Sequence, residues 1–369
     1  MIMIVATGVR ASEPQILMKE IKSLDKQVIL LHSRTLYKNE YNPKHKIIST
    51  FLDKHVADIA EYTPIHFSRI PQYFDQLKID VAILQVAYDK KLGYSFGTNP
   101  DYNFYFSQAK EIWVEVNKQM PWTYGPKFPA KKITKQIEVD YPLAEYINGI
   151  SEDEGDIFTV IGTFLNRFIS EDCTVQLGVG KLQSTLDIRS KVSIYSEMIG
   201  DWVMNLNCKK IVAGFGMGST KFYRWLDHNS KVELRPIGDI TNPLSFAKIP
   251  KLVSINSALE IDLLGQSASE SLDYKQISGT GGSNDFTAGV AISKGGVSII
   301  AMPSTTKDGS SKIVPKLQNI VTISRADVDF FVTEYGIAEM RYKTIKERQR
   351  ALINIAHPKH RKWLESHCL

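Results

Sequence analysis

The sequence lacks several features that would place it in a specialised class of protein. Its 369 residues include three cysteines, Cys173, Cys208 and Cys368, and no CxxC pair. So few cysteines, odd in number, argue against a disulfide framework and favour a reducing compartment, and a zinc site would need more ligands at closer spacing. The apolar start of the chain, residues 1–8, is too short to span a membrane and lacks the charged segment and cleavage site of a signal peptide. We therefore expect a cytoplasmic protein with no metal site and no membrane partner.

A strong charge imbalance is also missing. Lys and Arg number 45 and Asp and Glu 40, which gives a net charge of +5. The basic residues are scattered, with short pairs such as Lys131-Lys132 and Lys209-Lys210 rather than a long block. Nucleic-acid binding usually needs a dense basic stripe, so this distribution disfavours it and fits an anionic small-molecule substrate better.

Nucleotide-binding and hydrolase signatures are absent as well. The glycines at 279–282 do not have GxGxxG spacing, and neither a GxxxxGK[ST] loop nor a GxSxG elbow occurs. His357 and His360 lie at the C-terminal end beside a proline, where a structural or surface role is expected. The cluster at 279–282 itself has two interpretations, a tight turn that needs positive φ or a loop that faces a ligand.

What the sequence does contain is an alternation of apolar runs and helical patterns. This alternation predicts βαβ units, hence an α/β fold of two similar domains with mainly parallel sheets. A polar, acidic stretch at 145–156 suggests a boundary, giving domains of residues 1–150 and 151–369. Predicted strands are 1–8, 28–31, 80–86, 111–116, 175–177, 211–215, 251–255, 297–302 and 330–333; predicted helices are 14–21, 69–77, 157–169 and 345–355.

A glycine loop and a nearby glutamate point to acyl chemistry. The loop, residues 176–180, follows a predicted strand and offers backbone N–H groups to a phosphate or a developing oxyanion. Glu197 follows seventeen residues after Gly180 and is a candidate nucleophile or base. The two features together suggest acyl transfer on a phosphate-bearing substrate.

Longer motifs extend this interpretation. They occupy residues 80–86, 256–266, 279–286, 332–338 and 351–358. With these motifs in this order, the chain from about Glu13 to His360 resembles the acetyl-CoA hydrolase/transferase family, in particular the 4-hydroxybutyrate, butyrate and acetate CoA-transferases. The resemblance implies a CoA-transferase whose active site lies in the cleft between the domains. Its substrates would be an acyl-CoA and a carboxylate acceptor, with coenzyme A as a co-substrate rather than a permanently bound cofactor.

The resemblance also implies roles for individual residues. Glu197 would attack the acyl-CoA and then carry CoA as a glutamyl thioester in a ping-pong cycle. Gly281 would donate to the oxyanion, and Asn256 would donate its amide to the same oxygen. Glu334 would support the site. The expected CoA-binding residues are Gln176, Leu177, Gly178, Val179, Gly180, Gly279, Gly282 and Lys294.

Several alternatives stay open at this point. Water could resolve the acyl-enzyme, which would make the protein an acyl-CoA hydrolase, or the chain could be a degenerate CoA-binding protein without activity. Lys294 and Lys312 are either partners of CoA phosphates or solvated surface lysines. Trp122 stands where the family commonly has an arginine. If that arginine grips acceptor carboxylates, the acceptor of this protein differs, is bulkier, or is not a simple acid. A homodimer is compatible with these expectations.

Overall fold

Two large, mainly parallel β-sheets form the framework of the protein. The computed structural model describes residues 2–6, 9–23, 28–31, 44–52, 57–147, 152–184 and 186–368. Each sheet has eight strands, helices lie between and around them, and two small sheets lie nearby. The predicted α/β class with mainly parallel sheets is confirmed.

The first sheet is built from residues 2–139. Its strands are β1 Ile2–Ala6, β2 Val28–Leu31, β3 His45–Ser49, β4 Ala60–Tyr62, β5 Val81–Asp89, β6 Gly93–Ser95, β7 Glu111–Asn117 and β8 Ile133–Val139. The order is β4-β3-β2-β1-β5-β7-β8, with all of these neighbours parallel. β6 pairs antiparallel with the end of β5.

The remaining strands belong to residues 174–339. They are β9 Thr174–Leu177, β10 Val192–Ile199, β11 Cys208–Gly216, β12 Val232–Leu234, β13 Leu252–Asn256, β14 Glu260–Asp262, β15 Ser267–Ala268, β16 Ser271–Leu272, β17 Lys275–Gln276, β18 Val297–Ala301, β19 Ile313–Val314, β20 Phe330–Thr333 and β21 Gly336–Glu339. The second large sheet has the order β12-β11-β10-β9-β13-β18-β20-β21, and only its last pair is antiparallel. β14, β15 and β19 form one small sheet, and β16 and β17 form a hairpin.

Ten α-helices accompany these strands within the described residues. They are α1 Ile16–Lys22, α2 Ile70–Asp75, α3 Pro100–Phe106, α4 Glu152–Leu165, α5 Thr220–Leu226, α6 Ile237–Ile240, α7 Pro243–Phe246, α8 Ser283–Gly289, α9 Ile345–Asn354 and α10 Pro358–Glu365. α9 begins with a capping box, in which the Thr344 hydroxyl accepts from the Glu347 N–H and the Glu347 carboxylate accepts from the Thr344 N–H. In the ranges that can be described, no helix has the length and apolar character needed to cross a membrane.

The predicted strands and helices are all present, with ends that shift by a few residues; the part of the first strand at residues 1, 7 and 8 lies outside the described residues. The patterns missed β10, which carries Glu197, because most of its residues are buried and no polar alternation marks it. Short edge strands such as β4 and β12 were missed for lack of length. The division into domains near residue 150 stays a prediction.

One apolar cluster joins the two large sheets. Side chains from β5, β7, α2 and α3 pack together with residues that the second sheet and its helices contribute, among them Tyr195, Val212, Phe246 and Phe286. Tyr195 lies on β10 and faces this cluster. Because side chains alternate along a strand, Glu197 projects from β10 toward the same side, between the sheets.

Candidate active site

Most of the residues singled out in the sequence surround one cavity with a volume of 680 Å³. It lies where β9, β10 and β13 end, which is the edge at which ligands commonly bind in parallel sheets. Phe51, from the first half of the chain, and Phe158, on α4, add aromatic surface to its wall. The predicted site residues that line it are Gln176, Leu177, Gly178, Val179, Gly180, Glu197, Asn256, Gly279, Gly281 and Gly282.

The Glu197 carboxylate is held by a backbone N–H. The Gly282 N–H donates to Glu197 Oε2 over 2.9 Å. A methyl group at position 282 would lie 2.6 Å from that oxygen, so the close approach depends on glycine. Gly281, where the donor was expected, has φ +59°, and its missing methyl group would lie 3.9 Å from the same oxygen. The Gly282 N–H thus contacts the carboxylate, and the role of Gly281 as the oxyanion donor stays a prediction.

Asn256 belongs to a buried amide network. Its Nδ2 donates to Gln176 Oε1 over 3.2 Å and to Ser254 Oγ over 3.0 Å, while Gln176 Nε2 donates to Asn256 Oδ1 over 3.1 Å. A methyl group on Gly178 would lie 2.7 Å from Asn256 Oδ1. The Gln176 side chain thus fixes Asn256, and Gly178 allows the two strand ends to approach.

The loop that carries Gly281 and Gly282 is fastened to the first half of the chain. A methyl group on Gly279 would lie 2.8 Å from the Thr50 carbonyl oxygen. Thr280 Oγ1 donates to the Ile65 carbonyl over 2.9 Å, and the Ser68 N–H donates to Asp285 Oδ2 over 3.1 Å. Burial raises the pKa of Asp285, and the Ser68 hydrogen bond opposes that rise. The cluster at 279–282 thus combines both interpretations, a positive-φ turn and a loop that lines the cavity.

A buried carboxylate continues this fastening. Glu270 accepts a hydrogen bond from the Tyr62 hydroxyl over 3.1 Å and from Gln276 Nε2 over 2.8 Å. The Thr280 N–H in turn donates to the Tyr62 hydroxyl oxygen over 3.4 Å. Burial and the neighbouring Glu270 charge raise the pKa of Tyr62, so its hydroxyl keeps its proton.

Glu334 and Lys312 lie next to each other at one side of the cavity. Glu334 accepts from the Ser304 N–H over 2.9 Å and from the Ser304 hydroxyl over 2.6 Å, and its carboxylate is not part of the cavity wall. Lys312 does line the cavity, and its Nζ donates to the Ala258 carbonyl over 2.9 Å. Burial lowers the pKa of Lys312 to about 8, and the Glu334 charge opposes that shift.

Three further residues, two of them singled out above, lie elsewhere. The Lys294 carbonyl accepts from the Lys251 N–H at the amino ends of β13 and β18, so this exposed lysine lies at the opposite edge of the sheet from the cavity. The Glu260 carboxylate accepts from the Gln318 N–H over 2.9 Å and has a structural role. Trp122 stacks on His228, with ring centroids 5.3 Å apart, and lines a separate cavity of 760 Å³.

Some residues of the site carried no recognisable signal in the sequence. Phe51, Tyr62 and Glu270 lie far along the chain from Glu197, and none belongs to a glycine loop or another recognisable motif. Their places depend on the packing of the first half against the loop at 279–282, which periodicity and residue type cannot reveal.

The geometry suits covalent acyl chemistry. A carboxylate faces a cavity with aromatic and aliphatic surface, and a backbone N–H contacts one of its oxygens. Such a carboxylate can attack a carbonyl, and the same N–H can stabilise the oxyanion that forms on Glu197 when its own carbonyl is then attacked.

Comparisons with known proteins agree with this class. Residues 218–368 match the acetyl-CoA hydrolase/transferase C-terminal domain. The 4-hydroxybutyrate coenzyme A transferase of Clostridium kluyveri is 42% identical over 330 residues, which are 83% of this chain and 76% of that protein. The butyryl-CoA:acetate CoA-transferase of Anaerostipes caccae is 30% identical over 80% of this chain and 74% of its own length.

Solved structures give the same result. A 4-hydroxybutyrate CoA-transferase from Porphyromonas gingivalis superposes with a TM-score of 0.80 at 32% identity, covering 99% of this chain and 92% of that one. RipA from Yersinia pestis superposes with a TM-score of 0.90 at 26% identity, covering 99% and 93%. The chain belongs to the acetyl-CoA hydrolase/transferase family, and the resemblance inferred from its motifs is confirmed. It is an enzyme of the CoA-transferase kind.

Proposed function

We propose that this enzyme moves CoA from an acyl-CoA to a carboxylate acceptor through covalent intermediates on Glu197. The observation that carries the proposal is the position of the Glu197 carboxylate, which faces the cavity with one oxygen 2.9 Å from the Gly282 N–H. The family supports CoA transfer in general. The glutamyl intermediates are what the resemblance implies, and the position of the Glu197 carboxylate supports them.

In the first half of the cycle, a Glu197 oxygen attacks the thioester carbonyl. The carbon–sulfur bond breaks, the CoA thiolate leaves with the electron pair, and an acyl-glutamyl anhydride remains. The thiolate then attacks the glutamyl carbonyl. The acid leaves with one oxygen that belonged to Glu197, and CoA stays on the enzyme as a glutamyl thioester.

The second half reverses these steps with the acceptor. The acceptor carboxylate attacks the glutamyl thioester and releases the thiolate, which then attacks the acceptor's carbonyl. The new acyl-CoA leaves, and Glu197 keeps one oxygen from the acceptor. No proton has to be transferred in either half, so the site needs anion stabilisation more than a general base.

The Gly282 N–H is well placed for that stabilisation. When the glutamyl carbonyl is attacked, the oxygen that becomes negative is one of the two Glu197 oxygens. Gly281 remains a candidate donor to the same region. Asn256 could also donate if the side-chain amides of Asn256 and Gln176 were both rotated by 180°, which exchanges the positions of their oxygen and nitrogen atoms. The hydrogen bonds between the two amides would be preserved, and an Asn256 N–H would take the position beside Gly178 that Oδ1 now occupies.

CoA would occupy the part of the cavity lined by residues 176–180 and 279–282. Val179 is 48% exposed there and offers apolar contact to the pantetheine arm. Gly279 and Gly282 carry no side chains, so the loop backbone lies close to the Thr50 carbonyl and to Glu197 Oε2. Lys294 is not carried into this proposal because of its position at the opposite edge of the sheet.

The test follows one oxygen atom. Enzyme, acyl-CoA and an acceptor labelled with oxygen-18 in its carboxylate are allowed to react, and the peptide containing Glu197 is then examined by mass spectrometry. We expect the label in the Glu197 side chain and, after further turnover, in the released acid. Label that arrives from oxygen-18 water instead, in the Glu197 side chain or in the released acid, would identify a hydrolase. No label in the peptide or in the released acid in either arm would contradict the covalent route.

Two variants make the result specific. Glu197→Gln removes the nucleophilic carboxylate while keeping its size, so we expect turnover and labelling to fall below detection. Glu260→Gln is the matched control, because this glutamate also lies in a strand of the second half but accepts from Gln318 instead of facing the cavity. Labelling lost equally in both variants would contradict the assignment of Glu197.

A further inference from the structure

Three lysines line the cavity, and they are not equivalent. Lys307 is exposed, whereas Lys312 is partly buried and follows the turn that begins at Ser304. Lys312 is held by its backbone, since its N–H donates to the Ser304 carbonyl and its carbonyl accepts from the Ile261 N–H, both over 2.9 Å. The backbone of Lys312 is therefore fixed, and its side chain extends along the part of the cavity wall that also contains Ala258.

The surroundings of this ammonium group are short of negative charge. Among the residues that the structure describes, Nζ makes one hydrogen bond, to the Ala258 carbonyl, and forms no ion pair. Glu334 is the acidic residue whose charge acts on it, but both oxygens of that carboxylate are engaged by Ser304. An ammonium group taken out of water without a contacting counter-ion is unfavourable, and an anion in the cavity would relieve that cost.

We propose that Lys312 binds the carboxylate of the acid substrate inside the cavity, an inference that rests on the proposed transferase function. Nζ has three donors, of which Ala258 takes one, so two remain for carboxylate oxygens. The acid that leaves and the acid that enters would both use this contact. Lys312 would thus help to select carboxylates as partners of the CoA thioester.

A carboxylate fits this position better than a phosphate of CoA does. The acid must reach the Glu197 thioester, whereas the CoA phosphates are separated from the sulfur by the whole pantetheine arm. Phosphates also retain much of their hydration and suit an exposed cation such as Lys307. Lys312, which is partly desolvated, gives a stronger interaction with an anion that is itself enclosed.

The proposal is tested by isothermal titration calorimetry with butyrate as the probe. The background is Glu197→Gln, which is neutral at this position like the thioester and does not turn over. Because the pKa of Lys312 is lowered to about 8, the ammonium form loses its proton as the pH rises through that value. Butyrate should therefore bind more weakly above about pH 8, and binding there should be accompanied by proton uptake, since the anion favours the charged amine.

Substitutions at position 312 isolate this lysine. In the same background, Lys312→Arg keeps its charge, so we expect butyrate affinity independent of pH and no proton uptake. Lys312→Met should weaken butyrate about ten- to hundredfold at neutral pH. The other charged residues that line the cavity in this background are Lys181 and Lys307. The acidic residues near Lys312 are Glu260, on the neighbouring strand β14, and Glu334. All four are unchanged in these variants.

A titration with CoA separates the two sources of negative charge. We expect Lys312→Met to leave CoA affinity within about twofold of its parent. Unchanged butyrate binding, or a loss confined to CoA, would overturn the proposal. Proton uptake that persists in Lys312→Arg would do so too. Binding is measured without turnover, so a failure of the oxygen-18 experiment at Glu197 would leave this result readable.

Discussion

The position of the Glu197 carboxylate depends on its close contact with Gly282. The Gly282 N–H contacts the carboxylate, and a methyl group at position 282 would lie 2.6 Å from Glu197 Oε2, well inside contact distance. Thr280 hydrogen-bonds the loop to Ile65, and the Glu197 backbone belongs to β10, so the carboxylate is the part that would move. Glycine at position 282 is therefore needed for the Glu197 carboxylate to lie where it does.

We expect Gly282→Ala to lower kcat by about 100-fold, because a reacting group displaced by about 1 Å loses that much. The measurement is steady-state kinetics together with a CoA binding titration, which should change much less. Gly281→Ala is the matched control. Its methyl group would lie 3.9 Å from Glu197 Oε2, but its φ of +59° costs about 1–2 kcal/mol in stability. Equal loss of kcat in the two variants would contradict the role given to position 282.

Residue type predicts candidate chemistry well and position poorly. Glu197, Asn256 and the glycines could be singled out in the sequence, and the structure brings them to one cavity. Lys294 and Lys312 could not be told apart, because both follow glycine-containing segments. One lies at the amino end of a parallel strand and the other beside the cavity, a difference that only the strand order creates.

At the scale of elements, the loop at 279–282 depends on the edge of the first sheet. Tyr62 ends β4, the outermost strand, and joins the loop through Glu270 and the Thr280 N–H. These links cross from one half of the chain to the other. They determine where the Gly282 N–H lies relative to β10 and therefore to Glu197.

We expect Tyr62→Phe to lower kcat about three- to tenfold, since the loop loses one of its attachments and the oxyanion donor shifts. The loss in unfolding free energy should be about 0.5–1.5 kcal/mol, as for a single hydrogen bond. Kinetics and chemical denaturation measure both quantities.

Tyr105→Phe is the control for a merely structural effect. The Tyr105 hydroxyl accepts from the Gly238 N–H over 3.1 Å and has no contact with the loop. It should lose similar stability while keeping kcat. If both variants lost kcat in proportion to stability, Tyr62 would have no specific positioning role.

Elements with strong local patterns were predictable, and those defined by their neighbours were not. β5 and β7 are long apolar runs, and α9 has a periodic sequence with caps at its start. β10 escaped prediction although it holds Glu197, because a strand buried on both faces shows no alternation. The hydrogen bonds that make it a strand come from β9 and β11.

For the whole molecule, one apolar cluster contains side chains from both predicted domains, and the division between the domains stays a prediction. α3 packs against β1 of the first sheet and β11 of the second. Phe106, at the end of α3, is fully buried in the cluster that also contains Tyr195 and Phe286. An interior that both halves complete should couple their unfolding.

We therefore expect a single calorimetric transition whose calorimetric and van't Hoff enthalpies agree. Phe106→Ala should destabilise the protein by about 3–5 kcal/mol and shift the whole transition downward. Phe331→Ala, in an apolar cluster formed by the C-terminal part of the chain, should shift that same transition.

Two resolved transitions, each moved by only one of the substitutions, would show that the halves fold independently. The position of Glu197 would then depend on the docking of two separate bodies. A single transition would mean instead that one core stabilises the whole protein and also determines where the Gly282 N–H lies relative to Glu197.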